Sequence, residues 1–273
     1  MRIGLGTMQV SGPNGWGQPT DWDQAKQTIQ TAYDGGVRLF DSAGFYGPDV
    51  ALRLLRDVIP SDPTVQISSK VGINRHDAKQ WTVDASAVAI QAQVEQDLVT
   101  LGRDRLDLVL LRLGEGRFLP RDPRPLTESL DALLALQSAG KIDQIGISHA
   151  TLADVQLAHQ YAAIQMVENQ CNVLQADDDV VRYCQSQQIR YVAYSPLASG
   201  QLIKRPKPIL VEIAARHQAT VVQVVLAWLL QRSPMIEPII GTSNPQHVQE
   251  ALGAPQIRIS AVERAQLEQF ISN

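Results

Sequence analysis

Short apolar runs alternate with longer segments of helical spacing eight times over roughly 240 residues, and this alternation constrains the fold most. The runs lie at residues 2–8, 37–41, 65–70, 106–111, 142–147, 164–170, 190–194 and 236–240. They lack the every-other-residue polarity of a half-solvated sheet, so both faces are covered, as in a parallel sheet. Between them, Ala25, Ile29, Ala32 and Tyr33 share a helix face. So do Ala87, Ile90, Val94 and Leu98, and likewise Leu126, Leu130, Leu133 and Leu134. Gly35-Gly36 and Ala139-Gly140 stop two of these helices, and Ser260 with Glu263 spells a capping box for a tail helix. Eight strand–helix pairs predict an α/β chain folded as one (β/α)8 barrel domain over residues 1–273. The rival is an open doubly wound sheet. It usually brings a glycine-rich nucleotide turn, and no GxGxxG follows the first run.

Composition narrows the function classes. With 24 basic against 28 acidic residues the formal charge is −4, which offers no general attraction to nucleic acid or anionic lipid. Cys171 and Cys184 make neither a disulfide framework nor a metal cluster, so both read as buried thiols and no metal is expected. The longest apolar stretch, 221–230, contains Gln223 and is too short to span a membrane. Glycines, Gln9 and Pro13 interrupt the first seventeen residues before any secretory h-region can form. The expectation is a cytoplasmic protein without a nucleic-acid or membrane partner. The sequence carries no signal of oligomeric state.

In such a barrel, chemistry sits at the C-terminal ends of the strands. Strand two ends in Asp41, with Tyr46 in the loop beyond, and strand three ends in Lys70. Asp41 and Lys70 on adjacent strands can pair inside the barrel mouth. A tyrosine beside a buried ammonium has its phenolate stabilised, so the pKa of Tyr46 is expected to fall towards the range of proton transfer. Strand four ends before Arg112, strand five at Ser148-His149, strand six at Asn169-Gln170 and strand seven at Tyr194-Ser195. Strand eight runs into Gly241, Thr242, Ser243 and Asn244. Asn244 before Pro245 is an N-cap and N1 pair, so this segment leads into the positive end of a helix and suits an anion.

The strings DSAGFYG (41–47), SSK (68–70), LDLVLL (106–111), GISHA (146–150), ENQCN (168–172), AYSPLASG (193–200) and PIIGTSNPQHVQEAL (238–252) resemble the aldo-keto reductases. GLGT at 4–7 precedes them, and all stand in family order. The resemblance implies a nicotinamide-dependent reductase of small carbonyl compounds that uses NADPH, with NADH also admitted. It makes Tyr46 the acid/base, tuned by Asp41 and Lys70. It sets Thr7 and Met8 beside the cofactor, and Ser148, His149 and Gln170 on its carboxamide. Tyr194 stacks on the nicotinamide, and Ser195 and Leu197 meet the pyrophosphate. Gly241, Thr242, Ser243, Asn244 and His247 hold the 2′-phosphate, with Glu250 near the adenine.

The chain departs from the family pattern in several places. Arg112 stands where a catalytic histidine is usual, and the histidines at 76, 149, 159, 217 and 247 lie elsewhere. Arg112 is therefore expected to polarise the carbonyl oxygen and to lower the pKa of Tyr46 further. His149 replaces the asparagine beside the carboxamide serine. Where many members carry a basic pair at the 2′-phosphate, this chain has Gly241 and His247. About twenty residues follow Leu252, too few for the long substrate loop of many members. Arg117, Arg121 and Arg124 read as a solvated basic loop or as a draw for acidic substrates, and Trp16 and Trp81 as pocket walls or packing. A nucleotide-binding regulator with little turnover is the second functional class. A carboxylate-pair hydrolase is a third, with Glu168 as the one strand-end partner for Asp41.

Overall fold

A computed structural model describes residues 2–77, 80–114 and 119–269. The eight expected strands form: β1 (Gly4–Gly6), β2 (Leu39–Asp41), β3 (Gln66–Val71), β4 (Leu106–Arg112), β5 (Ile142–Ser148), β6 (Met166–Gln170), β7 (Arg190–Tyr194) and β8 (Ile236–Gly241). Each pairs in parallel with the next in the chain, and β8 closes on β1. Strand β1 is shorter than the run 2–8 because Thr7–Val10 coil into a 3-10 turn at the barrel mouth. An antiparallel hairpin of Ile73–Arg75 with Trp81–Val83 follows β3, where the sequence reading had only a loop.

The helices cover the outside. The first, Trp22–Asp34, buries Ala25, Ile29 and Ala32 and stops at Gly35 as expected. Ile90 and Val94 are buried on Ala87–Leu101, as are Leu130 and Leu133 on Leu126–Ser138. Ala87 instead faces solvent. The apolar stretch at 221–230 is part of the core helix Val221–Arg232, begun by a capping box of Thr220 and Gln223. Among the described residues no single helix is long and apolar enough to cross a membrane. The Ser260–Glu263 capping box forms at the start of Ala261–Glu268.

The barrel interior is layered. Leu39, Leu108, Leu110, Met166, Val192 and Ile239 make an apolar floor under the C-terminal mouth. Gly146 lets that floor close: a Cβ there would lie 2.5 Å from Leu110 Cδ2 and 2.7 Å from the Met166 carbonyl. Above the floor, strand register sets which side chains share a height. Asp41 pairs with Ser68, Lys70 with Leu110, Arg112 with Ser148, and Ser148 with Glu168. Because side chains alternate along a strand, Arg112, Ser148 and Glu168 form one inward-facing row.

Candidate active site

A cavity of about 830 Å³ opens above that floor. At its base Lys70 Nζ lies 2.5 Å from both carboxylate oxygens of Asp41 and donates to the Ser42 carbonyl at 3.1 Å. Ser68 Oγ donates to Asp41 Oδ1 at 2.7 Å, so the carboxylate is held from two strands. Thr7 Oγ1 donates to the Asp41 carbonyl at 2.9 Å, which ties the end of β1 to the end of β2. Asp41 and Lys70 are each only 3% exposed. Burial pulls the Lys70 pKa down, but Asp41 and Glu168 outweigh it and the net shift is upward.

Tyr46 reaches the same place from the loop after β2. Its backbone N–H donates to the Ala43 carbonyl at 3.1 Å, and Phe45 packs edge-on against its ring at 5.2 Å. Lys70 Nζ is 5.3 Å from the ring centroid. The expected direction of its shift is overturned. Burial pushes the phenol up to about 12, and Lys70 offsets only part of that. At 8% exposure, removing the phenolate from water outweighs one cation already matched by Asp41.

Glu168, which the sequence offered only as a carboxylate partner for Asp41, belongs to the site. It is 3% exposed, lines the cavity, and sets Oε2 3.5 Å from Lys70 Nζ. Burial first, then the Asp41 charge, raises its pKa far above the usual carboxylate range. Asp41 and Glu168 thus converge on one ammonium instead of facing each other across a substrate gap, which removes the hydrolase reading. Arg112 lines the cavity, and its Nη1 donates to the Leu113 carbonyl. Its charge bears on His149 and Glu168, whereas Tyr46 feels Lys70, Asp41 and Glu168. Glu115, a carboxylate near it in sequence, and Arg117 lie outside the described residues.

Most of the expected cofactor residues line the same cavity: Met8, Asp41, His149, Gln170, Tyr194, Ser195, Leu197, Gly241, Thr242, His247 and Glu250. His149 adopts a left-handed backbone (φ 58) and stacks on Tyr194 with centroids 4.8 Å apart. Burial, then the charges of Arg112 and Lys70, push its pKa down to about 2, so the ring is neutral. Thr242 Oγ1 and His247 Nδ1 lie 3.1 Å apart. Thr7, Ser148, Ser243 and Asn244 are not among the lining residues. Thr7 braces Asp41, the Ser243 carbonyl accepts from Gln24 Nε2 at 2.7 Å, and Asn244 Oδ1 caps helix Pro245–Leu252 by accepting from the Gln246 N–H.

Pro196, Ser199, Gly200 and Ile203 also line the cavity and were missed. Their signal was a turn composition, since Ser195, Ala198, Ser199 and Gly200 all take positive φ. The residues suit a dinucleotide. One continuous cavity joins Tyr46 to the capped start of a helix, and the fully buried Ser148 Oγ has no hydrogen-bond partner among the described residues.

The wall beside Tyr46 is aromatic. Trp81 lines the cavity and meets Phe45 edge-on at 5.6 Å. Behind it, the Arg75 guanidinium lies 4.5 Å from the Trp81 centroid and 5.2 Å from that of Trp16. Its Nη1 donates to the carbonyls of Asn14 and Gly15 at 3.0 and 2.9 Å. Trp81 is thus a wall, and Trp16 backs Arg75. Arg121 makes a two-pronged contact with Asp154, and Arg124 meets Asp122 and Asp84, so these two arginines face carboxylates of the protein itself. Cys171 and Cys184 are buried thiols whose pKa values burial raises. Among the described residues no cluster of His, Cys, Asp and Glu is fit to hold a metal.

The family model described as "Aldo/keto reductase family" matches residues 2–272. Pyridoxine 4-dehydrogenase of Escherichia coli K12 is 34% identical over 261 residues, covering 95% of this chain and 91% of that protein. A thermostable aldo-keto reductase crystallised with the inhibitor epalrestat is 26% identical with a TM-score of 0.85, covering 99% and 95%. An aldo-keto reductase of Klebsiella pneumoniae solved with NADPH is 25% identical with a TM-score of 0.81, covering 99% and 90%.

Proposed function

The chain belongs to the aldo/keto reductase family, and from that premise we propose that it is an NADPH-dependent reductase of small aldehydes or ketones, with Tyr46 as proton donor. The carrying observation is the buried Asp41–Lys70 pair beneath Tyr46, in a cavity that continues to the capped helix Pro245–Leu252. The reduced nicotinamide, when bound, supplies a hydride to the carbonyl carbon.

The protein's own part is to bind, orient and move a proton. A phenol whose pKa is raised to about 12 holds its proton at neutral pH, so Tyr46 is ready as a donor to the carbonyl oxygen. Lys70 then stabilises the phenolate that is left. The Arg112 guanidinium supplies rigid donors to the developing alkoxide. The Ser148 hydroxyl and the Gln170 amide hold the carboxamide, with neutral His149 beside them. His247 and Thr242 receive the 2′-phosphate. These contacts favour NADPH over NADH. Equal affinity for the two removes the selectivity.

Oxidation of NADPH and of NADH is followed with a panel of aldehydes and ketones, alongside a cofactor-binding titration. Pyridoxine, tested in the oxidative direction, joins the panel because that compound stands in a relative's name. Turnover supports the reductase. Binding without turnover on any substrate supports a nucleotide-binding regulator on the same fold. Failure to bind either cofactor overturns both readings.

A further inference from the structure

The charges in the barrel mouth do not balance around a single ammonium. Asp41 takes Lys70 with both oxygens at 2.5 Å and has Ser68 as well. Glu168 Oε2 lies farther from the same nitrogen, at 3.5 Å, and has no hydrogen-bond partner among the described residues. A carboxylate at 3% exposure, with Oε2 left without a hydrogen bond and the Asp41 side chain hydrogen-bonded beside it, is costly to keep ionised, and carrying a proton relieves that cost. The groups facing it are Asp41 and Tyr46 from the β2 side, Lys70 from β3, Arg112 from β4 and His149 after β5. Strand β7 offers Val192 and Tyr194, β8 offers Ile239, and β1 offers Gly6.

We propose that Glu168 is a positioning residue that sets the charge of the oxyanion site: neutral, it leaves a surplus positive charge from Lys70 and Arg112 over Asp41 to stabilise the alkoxide, and ionised, it cancels that surplus. The inference rests on the reductase reading. With Glu168 neutral, two cations and one carboxylate surround the developing alkoxide, and the surplus positive charge favours reduction. With Glu168 ionised, the surplus vanishes and the proton has gone to solvent. The added negative charge also opposes ionisation of Tyr46, because Glu168 is one of the charges that raise the phenol's pKa. Glu168 touches no reacting atom in this scheme. It acts through Lys70 and the local field, and it would give the reaction a basic limit well below the titration of Tyr46 itself.

The test compares wild type with Glu168→Gln, whose amide keeps the shape and cannot ionise. Reduction of one aldehyde at saturating NADPH is followed across pH, with kcat and KM separated. The two proteins are expected to agree at the acid end. One pH unit above the wild-type basic midpoint, the variant should be about tenfold faster in kcat, because only about a tenth of wild-type molecules remain neutral there. KM should change little. A second readout needs no turnover: the ultraviolet tyrosine titration of each protein minus that of its Tyr46→Phe counterpart. Glu168→Gln should lower the Tyr46 midpoint. A third uses wild type alone, in case the variant does not fold. The infrared band of a protonated glutamate, assigned by isotope labelling, should fade as pH rises with the midpoint of reduction. Superimposable pH profiles and tyrosine titrations, or no protonated glutamate band in wild type, overturn the proposal. A protein without any turnover that still shows the tyrosine shift and the glutamate band overturns the reductase reading and leaves the charge assignment standing.

Discussion

Tyr46 shows what a single residue discloses in sequence and what it withholds. Asp41, Tyr46 and Lys70 were legible because strand ends are marked by where apolar runs stop, and barrel geometry makes those ends converge. The sign of the Tyr46 shift was not legible. It depends on how completely the surrounding chain excludes water, a tertiary quantity no motif contains. Glu168 was not read into the reductase site for a similar reason: two residues before a strand end reads as interior, while register decides whether it meets Lys70. Tyr46→Phe is expected to lower turnover by about 100- to 10,000-fold while NADPH affinity in a fluorescence titration stays near wild type. Retention of wild-type turnover removes Tyr46 from the chemistry. The Arg112 charge lowers the pKa of Glu168, so Arg112→His should let that pKa rise and carry the basic limit of reduction to higher pH. The pH–rate profiles of the two proteins check this, and an unmoved limit disconnects Arg112 from Glu168.

At the scale of the element, two segments shape the cavity without supplying chemistry. The first is the hairpin Ile73–Arg75/Trp81–Val83. Strands of three residues are too short to show a period, so its pairing was hidden, although Trp81 itself was visible. Arg75 ties this hairpin to the loop carrying Asn14 and Gly15 and supports Trp81 from behind. Arg75→Leu should loosen that wall, raising KM for a bulky aldehyde several-fold with a much smaller change in kcat. A proportional fall in kcat instead would put Arg75 in the chemistry. The second segment, helix Pro245–Leu252, was readable down to its cap because Asn-Pro fixes a start chemically. Asn244→Ala removes the bond to the Gln246 N–H and should cost about 1 kcal/mol of stability. It should also weaken NADPH more than NADH, as paired binding titrations would show.

Across the whole molecule, the alternation of runs and helical segments foretold the closed barrel because each run must be covered on both faces. The barrel's response to pH depends instead on what that closure buries. Asp97 on helix Ala87–Leu101 is pushed up to about 7 by burial, although Ser69 Oγ donates to it at 2.5 Å. Glu168, Glu237 and Asp177 are raised too, each chiefly by burial. A raised carboxyl keeps its proton in the folded state after the unfolded chain has released it. Its contribution is therefore complete below the unfolded pKa and is lost as pH rises through the folded one. His149, lowered to about 2 mainly by burial, works in the opposite sense up to its ordinary value of 6.5. Glu263 is lowered to about 2 because hydrogen bonds from Ser260, His217 and Arg216 outweigh burial, and it adds stability only as pH climbs to about 4.5. Between about pH 4.5 and 7, Asp97 and Glu168, raised to about 7 and about 8, oppose one histidine, so the net slope is negative. The unfolding temperature should fall from pH 5 to pH 8. Asp97→Asn, which can still accept from Ser69, should flatten that slope by on the order of 1–3 kcal/mol, several degrees in Tm. Thermal unfolding of both proteins at the two pH values decides it. A wild-type Tm that rises across this interval would mean that the buried carboxyls are ionised in the folded barrel, and Glu168 could not then hold the proton assigned to it.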